Sequence, residues 1–289
     1  MLGEKAFLDI RPLWGLVIAI LAVTLLYWLR LGNPRQAVFN SSRFMFVGKT
    51  LLLTRNYEQL DTEHFSIKYD EGDLENAAIV AEAAEEIYEP VTRMFNYEPP
   101  ATTVIILYPD SNSLAETFGW DKTEKAMGVY WRGTIRILNP DEWITEGDKR
   151  QTFIREGPMA HEFAHLLVDY ITLGNYPRWY TEGIAQYVEK KITGFELYNP
   201  VKYDGSVGYC TFAALEQEFD ELDPGLAYGQ SLQAVELIAA EYGEDTVFRI
   251  LQYLGQGYGL QQSFGKATGQ PFDIFEKEFL AGHQSRTAA

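Results

Sequence analysis

MAHEFAHLLVDY, residues 159–170, sets two histidines four positions apart with a glutamate directly after the first. The whole chain has only four histidines, His64, His161, His165 and His283, so half of them fall in this one segment. On an α-helix, positions i and i+4 share a face with side chains about 6 Å apart. Two imidazoles so placed can grip one metal ion, and zinc suits nitrogen ligands while tolerating an open fourth position. Glu162, next to the first histidine, can then reach a water activated by the ion and act as general base. The segment matches H-E-x-x-H. Taken alone it also describes two histidines with satisfied hydrogen bonds on an apolar helix face, so a third ligand has to decide.

That ligand comes from the next helical pattern, PRWYTEGIAQYVEKK (177–191), which follows after the short connection LGNYP. Glu182 lies 17 positions beyond His165, enough chain for the first helix to finish, turn and return antiparallel. The return sets a carboxylate opposite the two imidazoles. Gly183, next to it, is a small residue that lets two helices approach closely. The spacing predicts a site of His161, His165 and Glu182.

HEFAH followed by PRWYTEGIAQY resembles the gluzincin group of H-E-x-x-H zinc metallopeptidases and, within it, the peptidase MA-like domains. The resemblance covers roughly residues 60–285 and extends to AYGQSLQAVELIAAEYG (227–243) and SFGKATGQPFDIFEKEF (263–279). It implies His161, His165 and Glu182 as ligands of one Zn2+ ion, Glu162 as the catalytic base and a polypeptide as substrate. The metzincin extension is absent, because position 168 is Val and position 171 is Ile. Gluzincins commonly draw an oxyanion-stabilising Tyr or His from their helical half, which makes Tyr228 the first candidate here and Tyr209 a weaker one. They also pair an edge strand with the substrate backbone; YWRGTIRI within 127–139 is the candidate for that edge, or else an ordinary sheet strand. Asp169 and Gln186 are candidates to hold the outer ring nitrogens of the ligand histidines. An intramembrane protease of the same motif is disfavoured, since Arg155, Glu156 and Asp169 bound the apolar run.

At 289 residues, with 46% hydrophobic and 22% charged side chains, the chain can bury a sizeable core and is not of disordered composition. The net charge of −17 is unevenly spread. Residues 1–55 hold seven basic side chains (Lys5, Arg11, Arg30, Arg35, Arg43, Lys49, Arg55) against Glu4 and Asp9, which leaves 17 basic and 39 acidic for the rest. So acidic a body argues against nucleic acid as a partner. The single Cys210 excludes an intramolecular disulfide and a multi-thiolate metal site, and reads as a small buried hydrophobe on a helix.

Between Arg11 and Arg30 run 18 uncharged residues, PLWGLVIAILAVTLLYWL. As a helix these span about 27 Å, close to the bilayer's hydrocarbon thickness. Trp14 near one end and Tyr27 and Trp28 near the other suit its interfaces. The run closes without the small residues of a cleavage site, so an uncleaved anchor is expected ahead of a cleaved signal peptide. Basic residues on the two sides nearly balance and leave orientation open; a short N-terminal tail before the anchor favours an extracytoplasmic body. The expected organisation is a tail over 1–11, a transmembrane anchor over 12–30 in contact with membrane lipid, and a basic juxtamembrane segment over 31–60. The body follows over 61–285.

The body reads as α+β. Strand patterns at 63–70 and 102–109, a helix over 73–95 and a hairpin over 127–139 turning at Arg132-Gly133 make a small mixed sheet with helices up to residue 155. From 156 to 285 the pattern is almost wholly helical, over 156–173, 178–192, 210–220, 228–242, 245–255 and 271–281. The zinc site falls at the junction of the two parts. Two rival functions stay open on the sequence: a metal-stabilised binding or scaffold protein without useful turnover, and a zinc hydrolase acting on non-peptide substrates.

Overall fold

The computed structural model describes residues 15, 18–19, 23, 34–120, 126–196 and 208–284. The run expected to cross a bilayer, 12–30, lies outside these apart from Gly15, Ile18, Ala19 and Val23, which are helical. Among the described residues, no helix is long and apolar enough to span a membrane. The chain forms two compact units, Met1–Met45 and Phe46–Ala289. The first contributes the start of helix α1 (Pro34–Leu53).

The second unit is a mixed α+β fold. Five strands, β1 (Glu58–Asp61), β2 (Phe65–Tyr69), β3 (Thr103–Tyr108), β4 (Gly128–Trp131) and β5 (Thr134–Leu138), form one sheet in the order β1-β2-β3-β5-β4. β2, β3 and β5 run parallel to one another in the sheet's centre, and β1 and β4 pair antiparallel at its two edges. The β4–β5 hairpin turns at Arg132 (φ 45°) and Gly133 (φ 99°), the two positive φ values of a type I′ connection. Its register, Tyr130 opposite Ile135 and Trp131 opposite Thr134, follows from that two-residue turn.

Strand alternation divides the core in two. Ile105, Leu107, Ile135 and Ile137 face the main core, while Val104, Ile106, Tyr108 and Leu138 face a smaller one on the opposite side of the sheet. Helix α2 (Leu74–Phe95) packs on the main face through Ala77, Val80, Ala84, Ile87, Val91 and Phe95, at the three- and four-residue spacings expected of an amphipathic helix. It continues through Pro90 and ends where Asn96 turns left-handed, at φ 47°. On the smaller face lie α3 (Ser111–Phe118), capped by the Asp110 carboxylate on the Ser113 N–H, and the second half of α1. Val47 packs into this smaller core and Thr50 is buried against it.

Eight residues of α4 (Lys149–Glu156) stop at Gly157-Pro158, since proline offers no backbone N–H to continue the ladder. The chain restarts as α5 (Met159–Thr172), reverses at Leu173 (φ 56°) and Gly174 (φ 74°), and returns as α6 (Arg178–Thr193). The rest is helical: α7 (Phe212–Gln217), α8 (Pro224–Tyr242), α9 (Glu244–Gly255), α10 (Leu260–Thr268) and α11 (Phe272–Gln284). Of these, α10 has no counterpart in the sequence patterns. Cys210 is not on a helix: it is half-buried in the segment before α7, its backbone N–H and C=O both bonded to the buried Gln230 amide.

Candidate metal centre

Helices α5 and α6 bring His161, His165 and Glu182 together. The two Nε2 atoms are 3.1 Å apart, and the Glu182 Oε2 lies 3.5 Å from that of His161 and 3.4 Å from that of His165. A tetrahedral ion bound at about 2.0–2.1 Å holds its ligand atoms about 3.3–3.4 Å apart. Two imidazole nitrogens and one carboxylate oxygen at this spacing therefore fit a single divalent ion with one position left open. Among the described residues this is the only group of three or more His, Cys, Asp or Glu side chains so arranged.

Local sequence explains why the two helices can deliver these groups. α5 is anchored by Phe163, Ala164, Leu166, Leu167 and Val168, all buried, which leaves the 161/165 face turned toward α6. On the other side of α6, Gly183 lies against α8, where an added Cβ would run into the Ser231 carbonyl and the Val235 side chain. The glycine beside the third ligand thus sets how closely α6 and α8 pack.

Each ligand histidine has a second partner. The His165 Nδ1 lies 2.7 Å from the Thr181 hydroxyl, and the His161 Nδ1 lies 3.5 Å from the Glu189 carboxylate. Thr181 precedes Glu182 and Glu189 follows it by seven residues, two helical turns along the same face. Neither was picked out by sequence, although the seven-residue spacing carried the signal for Glu189. Asp169 and Gln186, the expected partners, do other work. Asp169 accepts from the Tyr130 hydroxyl at 2.5 Å. Gln186 donates to the carbonyls of Glu182 and Tyr228, tying the ligand helix to the start of α8.

Before an ion binds, the centre is strongly polarised. Burial alone would push the His161 imidazole down, but Glu182 and Glu189 reverse this and hold it well above the ordinary histidine value. Burial also opposes ionisation of Glu182, yet His165 and His161 hold its carboxyl well below the usual carboxylate range. Burial pushes Glu162 up, against the lowering pull of both histidines.

Glu162 sits between the metal ligands and the sheet edge. Its Oε2 accepts the Tyr130 backbone N–H at 2.5 Å. The Leu138 N–H donates to the Met127 carbonyl, and antiparallel pairing alternates, so the Gly128 and Tyr130 peptide groups point away from β5 toward α5. At Gly128 an added Cβ would lie 2.7 Å from Pro158 Cγ and 2.9 Å from Glu162 Cγ. A side chain there would force β4 away from the helix. β4 is thus the edge strand of the sheet beside Glu162, while β5, the other half of YWRGTIRI, is interior.

The last predicted residue, Tyr228, lies in the second turn of α8. Its ring packs edge-on against Phe219 at 5.2 Å, and the Arg178 guanidinium covers the same Phe219 ring at 4.5 Å. The Arg178 guanidinium is pushed down by burial, yet Asp220, with weaker help from Glu182 and Tyr228, holds it above its ordinary value. Tyr209 instead stacks flat on Phe279.

No family model matches the chain. It is 23% identical over 212 residues to YhcO, an uncharacterized protein of Bacillus subtilis (strain 168). The match covers 68% of this chain and 62% of that protein, so the chain spans less than two thirds of its relative's length.

Proposed function

We propose that this chain is a membrane-anchored zinc metallopeptidase of the gluzincin type, holding one Zn2+ ion on His161, His165 and Glu182. The observation that carries the reading is the spacing of three donor atoms, 3.1–3.5 Å apart, with the buried Glu162 carboxylate between them and the edge strand β4. Bound zinc supplies Lewis acidity to water and to the carbonyl it polarises. The residues of the chain supply the rest. One Glu162 oxygen is fixed by the Tyr130 N–H; the other takes a proton from the attacking water as its oxygen bonds to the peptide carbon. When the C–N bond breaks, the same carboxyl returns that proton to the leaving nitrogen. Tyr228 donates to the oxyanion that develops on the carbonyl oxygen. The extended polypeptide runs along β4, the edge strand beside Glu162. Residues 12–30 anchor the chain to lipid as a single pass, with the body on the extracytoplasmic side.

The test is hydrolysis of an unstructured protein such as casein by zinc-loaded protein, with and without chelator. The expected result is chelator-sensitive cleavage that Glu162→Gln lowers by about 10²–10⁴-fold while zinc content is unchanged. Cleavage at the wild-type rate by Glu162→Gln would overturn the mechanism. A zinc-loaded wild type that cuts nothing would favour a metal-stabilised binding protein.

A further inference from the structure

Outside the metal centre, the most unusual surface is the outer side of α1. Twelve large apolar side chains are exposed among the described residues, and six of them, Val38, Phe44, Met45, Leu51, Leu52 and Leu53, belong to this helix. Leu52 and Leu53 are 63% and 70% exposed. The helix is nevertheless fixed to the body by its other side. Thr50 accepts from the buried Arg136 guanidinium at 3.5 Å, Val47 packs into the smaller core, and the Arg132 guanidinium lies over the Phe46 ring at 4.2 Å. At about 100° per residue Leu52 lies roughly opposite Val47 and Thr50, with Leu51 and Leu53 on the two flanks between.

Charge identifies what covers this side of the helix. Lys49 and Arg55, both exposed, flank the leucines. An exposed apolar strip with basic neighbours is the pattern of a helix lying in a membrane interface. Beyond residue 55 the chain carries 39 acidic against 17 basic side chains, so the rest of the surface is repelled by anionic lipid. In sequence, the 18 uncharged residues ending at Leu29 stop five positions before α1 begins at Pro34.

We propose that the outer face of α1 docks on an anionic lipid bilayer, with Leu52 at the acyl–headgroup boundary, Leu51 and Leu53 at its flanks and Lys49 and Arg55 among the phosphates. α1 and the metal-centre helices pack on opposite faces of the sheet, so the centre then faces water, across the sheet from the lipid. If the peptidase reading holds, on which this consequence rests, the substrate is a polypeptide presented from the aqueous side rather than within the bilayer.

The experiment uses the full chain in vesicles of phosphatidylcholine with one quarter phosphatidylglycerol. In a Cys210→Ser background, Leu52→Cys carries an environment-sensitive fluorophore, and Gln252→Cys, exposed on α9, carries the control. The expected result is several-fold stronger quenching of the Leu52 probe by nitroxide-labelled lipid, with protection from aqueous iodide, and the reverse at position 252. Lys49→Glu with Arg55→Glu should lower the lipid quenching. A Leu52 probe as open to iodide as the control would overturn the proposal. So would protection that follows protein concentration rather than lipid, because a second copy would then be the cover. Neither metal nor substrate enters the measurement, so its outcome is independent of the peptidase reading.

Discussion

His161 stands among three carboxylates, Glu182, Glu189 and Glu162, and the way they share it governs metal binding. The proton they hold on the imidazole must leave before an ion binds. Zinc affinity should therefore weaken about tenfold for each pH unit below the raised His161 pKa, and the loss should begin at a higher pH than for an ordinary histidine site. A zinc competition titration at stepped pH checks this; an affinity independent of pH would contradict it. Glu189 fixes the outer nitrogen of His161, so Glu189→Gln should weaken zinc binding by about 10–100-fold with the fold intact. The grouping of His161, His165 and Glu182 was legible because metal chemistry restricts candidates to such side chains at helical spacing. Their partners were not. Thr181 and Glu189 are ordinary residues for a helix, and only the orientation of α5 against α6 selects them over Asp169 and Gln186, which sit at equally suitable spacings.

Two glycines carry the packing of the elements around the centre. Gly183→Ala sets a methyl group against the Ser231 carbonyl, and backbone cannot yield as a flexible side chain can. We expect a loss of about 1–3 kcal/mol, read as a lower denaturation midpoint. Gly128→Ala strikes Pro158 and Glu162 instead, so its main effect should fall on hydrolysis, through displacement of β4 and of the Tyr130 N–H from the base. Gly183 stands out in sequence as a point of close helix approach, but its neighbours on α8 do not; Gly128 looks unremarkable, because Pro158 and Glu162 are distant along the chain. The hairpin, by contrast, was readable, because Arg132-Gly133 between two apolar runs is local turn chemistry. α10 escaped notice because LQQSFGKAT buries only Ser263 and Phe264, too few positions to show a period. The helix over Lys149–Glu156 has no counterpart in the sequence patterns, which start the helical part at 156, because only Phe153 of its side chains is buried.

At the scale of the molecule, the mixed sheet with a helical remainder follows from where the sequence changes period, near residue 150. The second, smaller core was hidden, since it draws Val47 and Thr50 from a stretch that reads as a basic juxtamembrane segment. A metal that binds only the folded chain stabilises all of it: zinc at 100 times its dissociation constant adds about 2.7 kcal/mol. Chelator should accordingly lower the thermal midpoint of the wild type and leave that of His161→Ala unchanged. The central claim, that α5 and α6 build one zinc site, is tested most directly by zinc content after dialysis, wild type against His161→Ala. One ion per chain in the wild type and almost none in the variant is the predicted result; equal zinc in both would contradict it.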